Sequence, residues 1–166
     1  MTAPEDKQRS LDDLAVECAS WRERGLEVVL VNGAFDVLHV GHLRYLAAAR
    51  ALGDRLVAAV NSDLSVQSSK GELRPIIPEN ERVEILSHLW MVDRICLFDS
   101  LTVAPVLERL RPSIHAKGSD YTVDTVPERE VVAAYGGRTE ICGDPKDHAT
   151  TELIGIILER FSGRQG

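Results

Sequence analysis

The chain alternates short β-branched apolar runs with longer segments of helical periodicity, and this alternation constrains the fold more than any other feature. In the longer segments apolar residues recur three and four positions apart, as on one face of a helix. The short runs contain too few residues for a helix and are typical of strands buried on both faces. Strands are predicted at residues 26–31, 56–60, 94–98, 113–117 and 138–142. Because strands separated by helices pair in parallel through right-handed crossovers, the pattern predicts a parallel α/β sheet.

Helices are predicted between Ser10 and Gly25 and over residues 40–52, 79–90, 103–110, 126–135 and 150–161. The predicted fold class is therefore α/β, a Rossmann-like doubly wound parallel sheet of about five strands with helices on both faces. Residues 61–78 are polar and are predicted as a long loop with one helical turn, and loops of that length are usually functional. Residues 1–9 are expected to be flexible. The whole chain, 1–166, is expected to form a single domain.

Charge and cysteine content argue against several classes of protein. The chain has 26 acidic and 19 basic residues and a net charge of −7, whereas proteins that bind nucleic-acid backbones are basic, so no nucleic-acid partner is expected. Cys18, Cys96 and Cys142 form no C-x-x-C pair, which argues against a zinc ribbon or a disulfide framework and suits a reducing cytoplasm. No apolar run approaches the roughly 18 residues of a membrane span. A cytoplasmic protein without membrane association is expected.

The candidate site follows the first predicted strand, in the segment Asn32-Gly-Ala-Phe-Asp-Val-Leu-His-Val-Gly-His42. This segment is neither a G-x-G-x-x-G nor a Walker A motif. His39 and His42 stand three apart at a predicted helix start, where their side chains share one face. Gly41 leaves room for a ligand near the backbone, and the free N–H groups of a helix start favour anions. The pattern predicts a site for a polyphosphate.

Two other interpretations of the histidine pair were weighed. A single histidine near a helix start is most often a surface or capping residue, but two of them around a glycine, directly after a buried strand, are much less common by chance. A metal site would need a third ligand. Asp36 is near in sequence, but zinc sites seldom use this spacing. The phosphate interpretation is therefore favoured, and no metal-ligating residue of the protein is predicted.

The segment 31–42 resembles the signature of the H-x-G-H nucleotidylyltransferase superfamily. Within that superfamily, four further segments are similar to the bacterial heptose-1-phosphate adenylyltransferases, which also occur as the transferase half of a fused heptose kinase/adenylyltransferase. These segments are residues 59–63, 70–75, 78–82 and 116–121. The likeness covers most of the chain, from about residue 28 to the last helix.

The resemblance implies a reaction in which a sugar 1-phosphate, most closely D-glycero-D-manno-heptose 1-phosphate, takes AMP from ATP, giving ADP-heptose and pyrophosphate. Such transfer depends on positioning and charge stabilisation. Mg²⁺ is expected to accompany ATP as cofactor. The alternative within the superfamily is a CTP-dependent cytidylyltransferase for glycerol 3-phosphate or a similar small phosphate ester. A third hypothesis is a non-catalytic nucleotide-binding regulator on the same scaffold.

The resemblance also implies roles for individual residues. His39 and His42 would contact the phosphates and stabilise the transition state, and Lys70 and Arg74 would close over the phosphates as a lid, so these four are the expected catalytic residues. The expected substrate- and nucleotide-binding residues are Asn32, Gly33, Ala34, Phe35, Asp36, Gly41, Asn61, Asp63, Arg82, Lys117, Gly118, Thr150 and Thr151. A cation at a helix start such as Arg82 is unfavourable by itself, and an anionic ligand would remove that conflict.

Five of these residues have simpler explanations. Lys70 and Arg74 would be two solvated charges on the long loop. Asp63 would serve equally as a helix cap, Thr150 as an N-cap and Lys117 as a surface residue. The chain also departs from the family pattern, which has Ser-Thr-Thr where this sequence has Ala149-Thr-Thr. Residues 143–148 resemble the family little, and His148 among them is either a further contact or simply exposed.

The expected partners follow from the same resemblance. ATP and a sugar 1-phosphate are the expected ligands, and a homodimer is expected because related enzymes often pair. The sequence contains no recognisable kinase segment, so a separate sugar kinase is expected to supply the 1-phosphate.

Overall fold

A computed structural model describes residues 2–144 and 149–162 of the chain. Five strands form one parallel sheet: β1 (Val28–Gly33), β2 (Arg55–Asn61), β3 (Arg94–Phe98), β4 (Ile114–Lys117) and β5 (Arg138–Ile141). Seven α-helices accompany them: α1 (Leu11–Glu23), α2 (Val40–Arg50), α3 (Asp63–Lys70), α4 (Glu79–Ser87), α5 (Ala104–Leu110), α6 (Arg129–Ala134) and α7 (Thr150–Phe161). Short 3-10 turns occupy Pro4–Asp6 and Val123–Thr125. The predicted α/β fold class is confirmed, and none of the helices within these residues is long and apolar enough to cross a membrane.

The strand order is β3-β2-β1-β4-β5, and all pairs are parallel. The chain therefore builds outward from β1 to β3, then returns across the sheet to place β4 on the other side of β1. Leu30 of β1 pairs with Val57 of β2 and with His115 of β4. A crevice opens at such a reversal, beyond the carboxyl ends of the strands, and it is where open α/β sheets bind ligands.

Each face of the sheet carries its own apolar core. One core joins Leu30 and Ala59 to side chains of α1, α5 and α6, such as Leu14, Leu107 and Val132. The other core packs the alternate strand residues against α2 and α4, with fully buried Val31, Ala58, Leu46 and Leu86. Because successive strand residues point to opposite faces, β1 to β4 are largely buried on both sides, whereas the edge strand β5 is partly exposed.

The polar segment 61–78 differs from its prediction. It contains α3, a helix of two turns rather than one, which begins after Ser62, whose hydroxyl accepts a hydrogen bond from Ser65 N. Only Ser65 and Val66 of this helix are buried. The helix therefore has no apolar stripe for a periodicity argument to find, and its capping serine is the signal that was missed.

The segment before α1 also differs from expectation. Gln8 lies beside Ile95 in a parallel bridge, with backbone hydrogen bonds from Ile95 N to Lys7 O and from Arg9 N to Ile95 O. The ammonium of Lys7, a residue only 4% exposed, donates to Leu89 O. These residues thus extend the sheet beyond β3, through backbone pairing that is too short to leave a pattern in the sequence.

The helix predicted at 126–135 is shorter in the structure than in the prediction, because residues 126–128 follow a 3-10 turn and only Arg129–Ala134 is α-helical.

Candidate functional site

A cavity of about 500 Å³ opens at the carboxyl edge of the sheet, at the reversal between β1 and β4. A smaller hollow of about 210 Å³ adjoins it along the turn after β1. The large cavity is lined by ten of the predicted site residues: Asn32, His39, Gly41, His42, Lys70, Arg74, Lys117, Gly118, Thr150 and Thr151. The hollow adds four more: Gly33, Ala34, Phe35 and Asp36. Asn61, Asp63 and Arg82 line neither.

The two histidines of the motif lie against each other at the start of α2. Their ring centroids are 4.0 Å apart and their planes are tilted by 39°. His42 Nδ1 lies 3.4 Å from the backbone N of His39, which donates to it. Because Nδ1 accepts, the proton of a neutral His42 ring resides on Nε2.

The electrostatic setting keeps His42 neutral. Burial, followed by the positive charges of His39 and Lys70, lowers the pKa of His42 to about 4. At neutral pH the ring is therefore a hydrogen-bond donor through Nε2 that carries no charge. A polyanion in the cavity would raise this pKa, since an opposite charge favours the protonated ring.

The turn that leads into the motif has strained backbone. Phe35 and Val37 adopt left-handed conformations, with φ of 51° and 48°. This region is unfavourable for residues with a side chain, and most of all for a β-branched one such as Val37. Such strain persists where the surroundings enforce it and is concentrated at functional sites. Here the buried ring of Phe35, whose centroid lies 5.9 Å from that of His42, helps to hold the turn.

Asp36 anchors that turn to the segment between α3 and α4. Its carboxylate accepts from Arg74 Nε at 2.7 Å, from Ile76 N at 3.0 Å and from Ile77 N at 2.9 Å. Burial alone would raise the pKa of Asp36, but the two amides and the Arg74 guanidinium outweigh it and hold the pKa below its usual value. The carboxylate is thus an acceptor already in use, so Asp36 does not complete a metal site with the two histidines. Over residues 2–144 and 149–162, no group of three or more His, Cys, Asp or Glu side chains is placed to hold a metal ion.

The crevice between β1 and β4 contains a second cluster of polar side chains. Asn32 Oδ1 lies 3.0 Å from His115 Nε2 and 3.4 Å from Lys117 Nζ. The Lys117 ammonium also lies 4.7 Å from the centroid of the Tyr121 ring. Lys117 is only 9% exposed, so the alternative of a surface lysine is wrong. Burial lowers its pKa, while the carboxylates of Glu128 and Asp120 act in the opposite direction.

Arg82 occupies a different place from the one that the sequence suggested. Its side chain is fully buried and donates to Asp63 Oδ1 at 2.8 Å, to Asn61 O and Ile77 O at 2.9 Å each, and to Ala34 O. The anion that offsets this cation is therefore Asp63. Asp63 is the first residue of α3 and not its cap, because Ser62 caps that helix. The contact with Ala34 O stabilises the turn after β1 from a position outside the cavity. That Asn61, Asp63 or Arg82 contacts a ligand stays a prediction.

The start of α7 closes another side of the cavity. Ala149 is the N-cap residue, and its backbone N donates to Glu152 Oε2. Thr150 is the first helical residue, and its hydroxyl donates to the backbone O of Asp36 at 2.9 Å. The alternative of Thr150 as an N-cap is therefore wrong. His148 lies outside the described residues.

Several residues that line the cavity were missed by the sequence analysis: Arg44, Tyr45, Ser119, Asp120, Cys142, Gly143 and Asp144. Tyr45 is the most informative, because its hydroxyl donates to Ala116 O at 2.7 Å and so ties α2 to β4. Its position, three residues after His42 on the same helix, is a signal that could have identified it. Arg44 and Asp144 form an exposed ion pair at the rim. That pairing depends on the return of β5 and has no local signature.

This fold therefore carries, at one edge of its parallel sheet, a cavity that is lined by paired imidazoles and by cations. Comparison with known proteins agrees. The cytidylyltransferase-like family model matches residues 30–157. The bifunctional protein HldE of Geobacter sulfurreducens is 45% identical over 155 residues, which are 93% of this chain and 32% of that protein. HldE of Citrifermentans bemidjiense is 46% identical over 157 residues, 95% of this chain and 32% of that protein. The chain spans about a third of the length of these relatives.

A solved structure adds to this similarity. The lipopolysaccharide core biosynthesis protein from Thermoplasma volcanium is 32% identical, with a TM-score of 0.60, and the match covers 70% of this chain and 94% of that one. The chain belongs to the cytidylyltransferase-like family. The predicted resemblance to the H-x-G-H nucleotidylyltransferase superfamily, and within it to the fused bifunctional proteins, is confirmed.

Proposed function

We propose that this domain is an adenylyltransferase that transfers AMP from ATP to D-glycero-D-manno-heptose 1-phosphate, giving ADP-heptose and pyrophosphate. Support comes from the similarity to HldE over more than nine-tenths of the chain. The observation that carries the proposal is the cavity itself, which gathers His39, His42, Lys70, Arg74 and Lys117 around one space at the sheet edge. Two imidazoles and three cations fit the several negative charges of a triphosphate and a sugar phosphate.

In the proposed step, an oxygen of the sugar 1-phosphate attacks the α-phosphorus of ATP. The new bond joins that oxygen to the α-phosphorus, and the bond from the α-phosphorus to the bridging oxygen breaks, so that pyrophosphate leaves with the electron pair. Negative charge develops on the equatorial oxygens and on the leaving group. Donors fixed before the reaction stabilise this charge because they need no reorganisation.

His42 is suited to that task by its fixed proton. The His39 amide holds Nδ1, so Nε2–H points away from that contact as a neutral donor. The paired ring of His39 lies beside it. Lys70, the last residue of α3, and Arg74, in the segment after it, border the same cavity, where their charges would neutralise the departing pyrophosphate.

Mg²⁺ would be carried by ATP in this proposal. Magnesium usually binds phosphate oxygens and waters with one or two carboxylates, and rarely needs a cage made only of protein. The described residues fit that mode, since they contain no cluster of three metal-ligating side chains while the cavity is bordered by Asp120 and Asp144. When bound, the ion would offset part of the triphosphate charge.

A cytoplasmic location, a homodimer and supply of the 1-phosphate by a sugar kinase are further parts of the proposal. The relatives are named bifunctional, and this fits a domain that works together with a second activity. The CTP-dependent alternative has less support, because the matched relatives carry the name HldE rather than that of a cytidylyltransferase.

The test is a pyrophosphate-release assay with ATP and CTP against D-glycero-D-manno-heptose 1-phosphate, other sugar 1-phosphates and glycerol 3-phosphate. We expect release with ATP and the heptose phosphate, and little with CTP. His42→Ala should lose this release, and the matched control is His88→Ala, because His88 is an exposed histidine at the C-terminal end of α4 and outside the cavity. Release with CTP and glycerol 3-phosphate alone would establish the cytidylyltransferase instead, and tight ATP binding without release from any pair would establish the regulator.

A further inference from the structure

We infer that His115 is a positioning residue of this site: by donating Nε2–H to Asn32 Oδ1, it turns the amide N–H₂ group of Asn32 into the cavity as a donor for an anionic oxygen of the substrate. The inference deepens the proposed function and rests on it for the identity of the substrate. His115 lies inside β4 and is fully buried, and no role for it follows from the sequence alone.

The Lys117 ammonium identifies which atom of the Asn32 amide is the oxygen. An ammonium has three donors and no acceptor. The Asn32 atom that lies 3.4 Å from Lys117 Nζ must therefore be the oxygen. With the oxygen held there, Nδ2 points away from it on the other side of Cγ, in the same amide plane. Over the parts of the chain that the structure describes, the side-chain hydrogen bonds of Asn32 are made by Oδ1, and Nδ2 is not among the buried atoms that lack a partner.

The orientation of the Asn32 amide in turn identifies which ring nitrogen of His115 carries the proton. The oxygen accepts from His115 Nε2 at 3.0 Å, so Nε2 carries the proton. Nδ1 is then an acceptor, and it is buried with no hydrogen-bond partner in the described structure. Burial and the nearby charge of Lys117 lower the pKa of His115 to about 3, which agrees with a neutral ring. A charged ring would place a second cation beside the ammonium.

An anion is the ligand that this arrangement suits. Asn32 borders both the large cavity and the adjoining hollow, and Lys117 borders the large cavity with it. An anionic group that accepts from Asn32 Nδ2 would therefore share the large cavity with the Lys117 ammonium, and hydrogen bonds to charged groups are the stronger ones. His115 itself, having no exposed surface, acts only through Asn32.

Three variants separate positioning from a purely structural role. His115→Leu removes the donor and keeps an apolar volume in the strand, whereas His115→Gln retains an N–H that can reach Asn32 Oδ1. Asn32→Asp keeps the acceptor for His115 and Lys117 but replaces the N–H₂ group with an anionic oxygen. Calorimetric titration with inorganic pyrophosphate, ATP and the heptose 1-phosphate measures binding apart from turnover.

We expect His115→Leu to weaken at least one of these anions about tenfold, the size of one hydrogen bond to a charged group. His115→Gln should restore binding to within about twofold, and Asn32→Asp should weaken the same anion by more than His115→Leu does. Equal losses in the Leu and Gln variants, or wild-type binding in the Leu variant, would overturn the inference.

Nitrogen-15 NMR of the wild-type protein gives a test that needs no variant to fold. The His115 ring should show the proton on Nε2 at pH 7, and the Asn32 side-chain amide signals should shift when pyrophosphate or heptose 1-phosphate is added. A proton on Nδ1, or Asn32 amide signals that no anion moves, would contradict the inference. Failure of the proposed function looks different, because anions would still bind and shift these signals while no pyrophosphate is released.

Discussion

Arg74 Nε lies 2.7 Å from Asp36 Oδ2, and this ion pair joins the turn after β1 to the segment between α3 and α4. The side chain of Asp36 is 1% exposed and that of Arg74 is 15% exposed, so the pair is largely removed from water. The same carboxylate holds the amides of Ile76 and Ile77. The expected lid is therefore tied at its C-terminal end to the turn after β1.

Asp36→Asn should loosen this attachment while it preserves the size of the side chain. Removing one partner of a buried pair leaves the other charge uncompensated, and such changes cost about 3–5 kcal/mol of stability. We expect amide exchange at Ile76 and Ile77 to accelerate, as measured by hydrogen-exchange NMR or mass spectrometry. The matched control is Asp12→Asn, since Asp12 pairs with Arg109 on the surface, where a pair is worth about 0–1 kcal/mol. Unchanged exchange at both isoleucines in Asp36→Asn would show that the carboxylate does not anchor them.

Arg82→Met should act on stability and not on ligand affinity. The substitution keeps much of the volume but leaves Asp63 and three backbone carbonyls without their donor. We expect a loss of about 3–5 kcal/mol in the free energy of unfolding by urea titration, with pyrophosphate affinity near wild type at a temperature where the variant is folded. Arg109→Met, at an exposed pair, serves as the control. A large loss of affinity with unchanged stability would restore the ligand role that the sequence suggested.

Local patterns were enough to predict the sheet and the centre of the site. The strands β1, β2 and β3 are largely apolar, and all five strands were predicted within a few residues of their observed positions. The H-x-G-H segment was placed correctly because a strand, a turn and a helix start are contiguous in the chain. Lys117 was identified because residues that follow parallel strands collect at one edge.

What the sequence did not predict depends on residues that meet only after folding. The role of Arg82 requires α3, α4 and the turn at Ala34 to come together. The pairing of Asn32 with His115 requires β4 to lie beside β1, which the strand order decides and the local sequence does not. His115 lies within a short run that is predicted as a buried strand, so its position in the sequence predicts only a core residue.

His42→Gln should lower turnover far more than it lowers stability. Gln keeps a polar side chain of similar length, but it loses the ring whose Nδ1 is held by the His39 amide and whose Nε2–H is thereby aimed. Removal of one preorganised donor to a developing oxyanion typically costs about 10²–10³ in kcat. Parallel measurement of kcat and Tm tests this, with His88→Gln as the control. A kcat within a few-fold of wild type would remove His42 from the catalytic residues, and His39→Gln offers the same comparison for its neighbour.

The stability of the protein should fall between pH 7 and pH 5, and His115 should account for part of the fall. The pKa of His115 is about 3 in the folded protein and about 6.5 in an unfolded chain. Between these values the unfolded state binds the extra proton, so the free energy of unfolding decreases as the pH falls through 6.5. For one such histidine the loss between pH 7 and pH 5 is about 2 kcal/mol. The pKa of Asp36 is also lowered, but protonation of a carboxyl group changes the stability only near and below the pKa of that group in the unfolded chain, which lies outside this pH range.

Urea titrations at both pH values should therefore show a decrease in the free energy of unfolding for the wild type that exceeds that of His115→Gln by this amount, because the variant has no ring to protonate at that position. His42, with its own lowered pKa, contributes equally to both proteins and cancels from the difference. The same decrease in the two proteins would mean that the folded state accepts a proton at His115 as readily as the unfolded chain, contrary to its buried position beside Lys117.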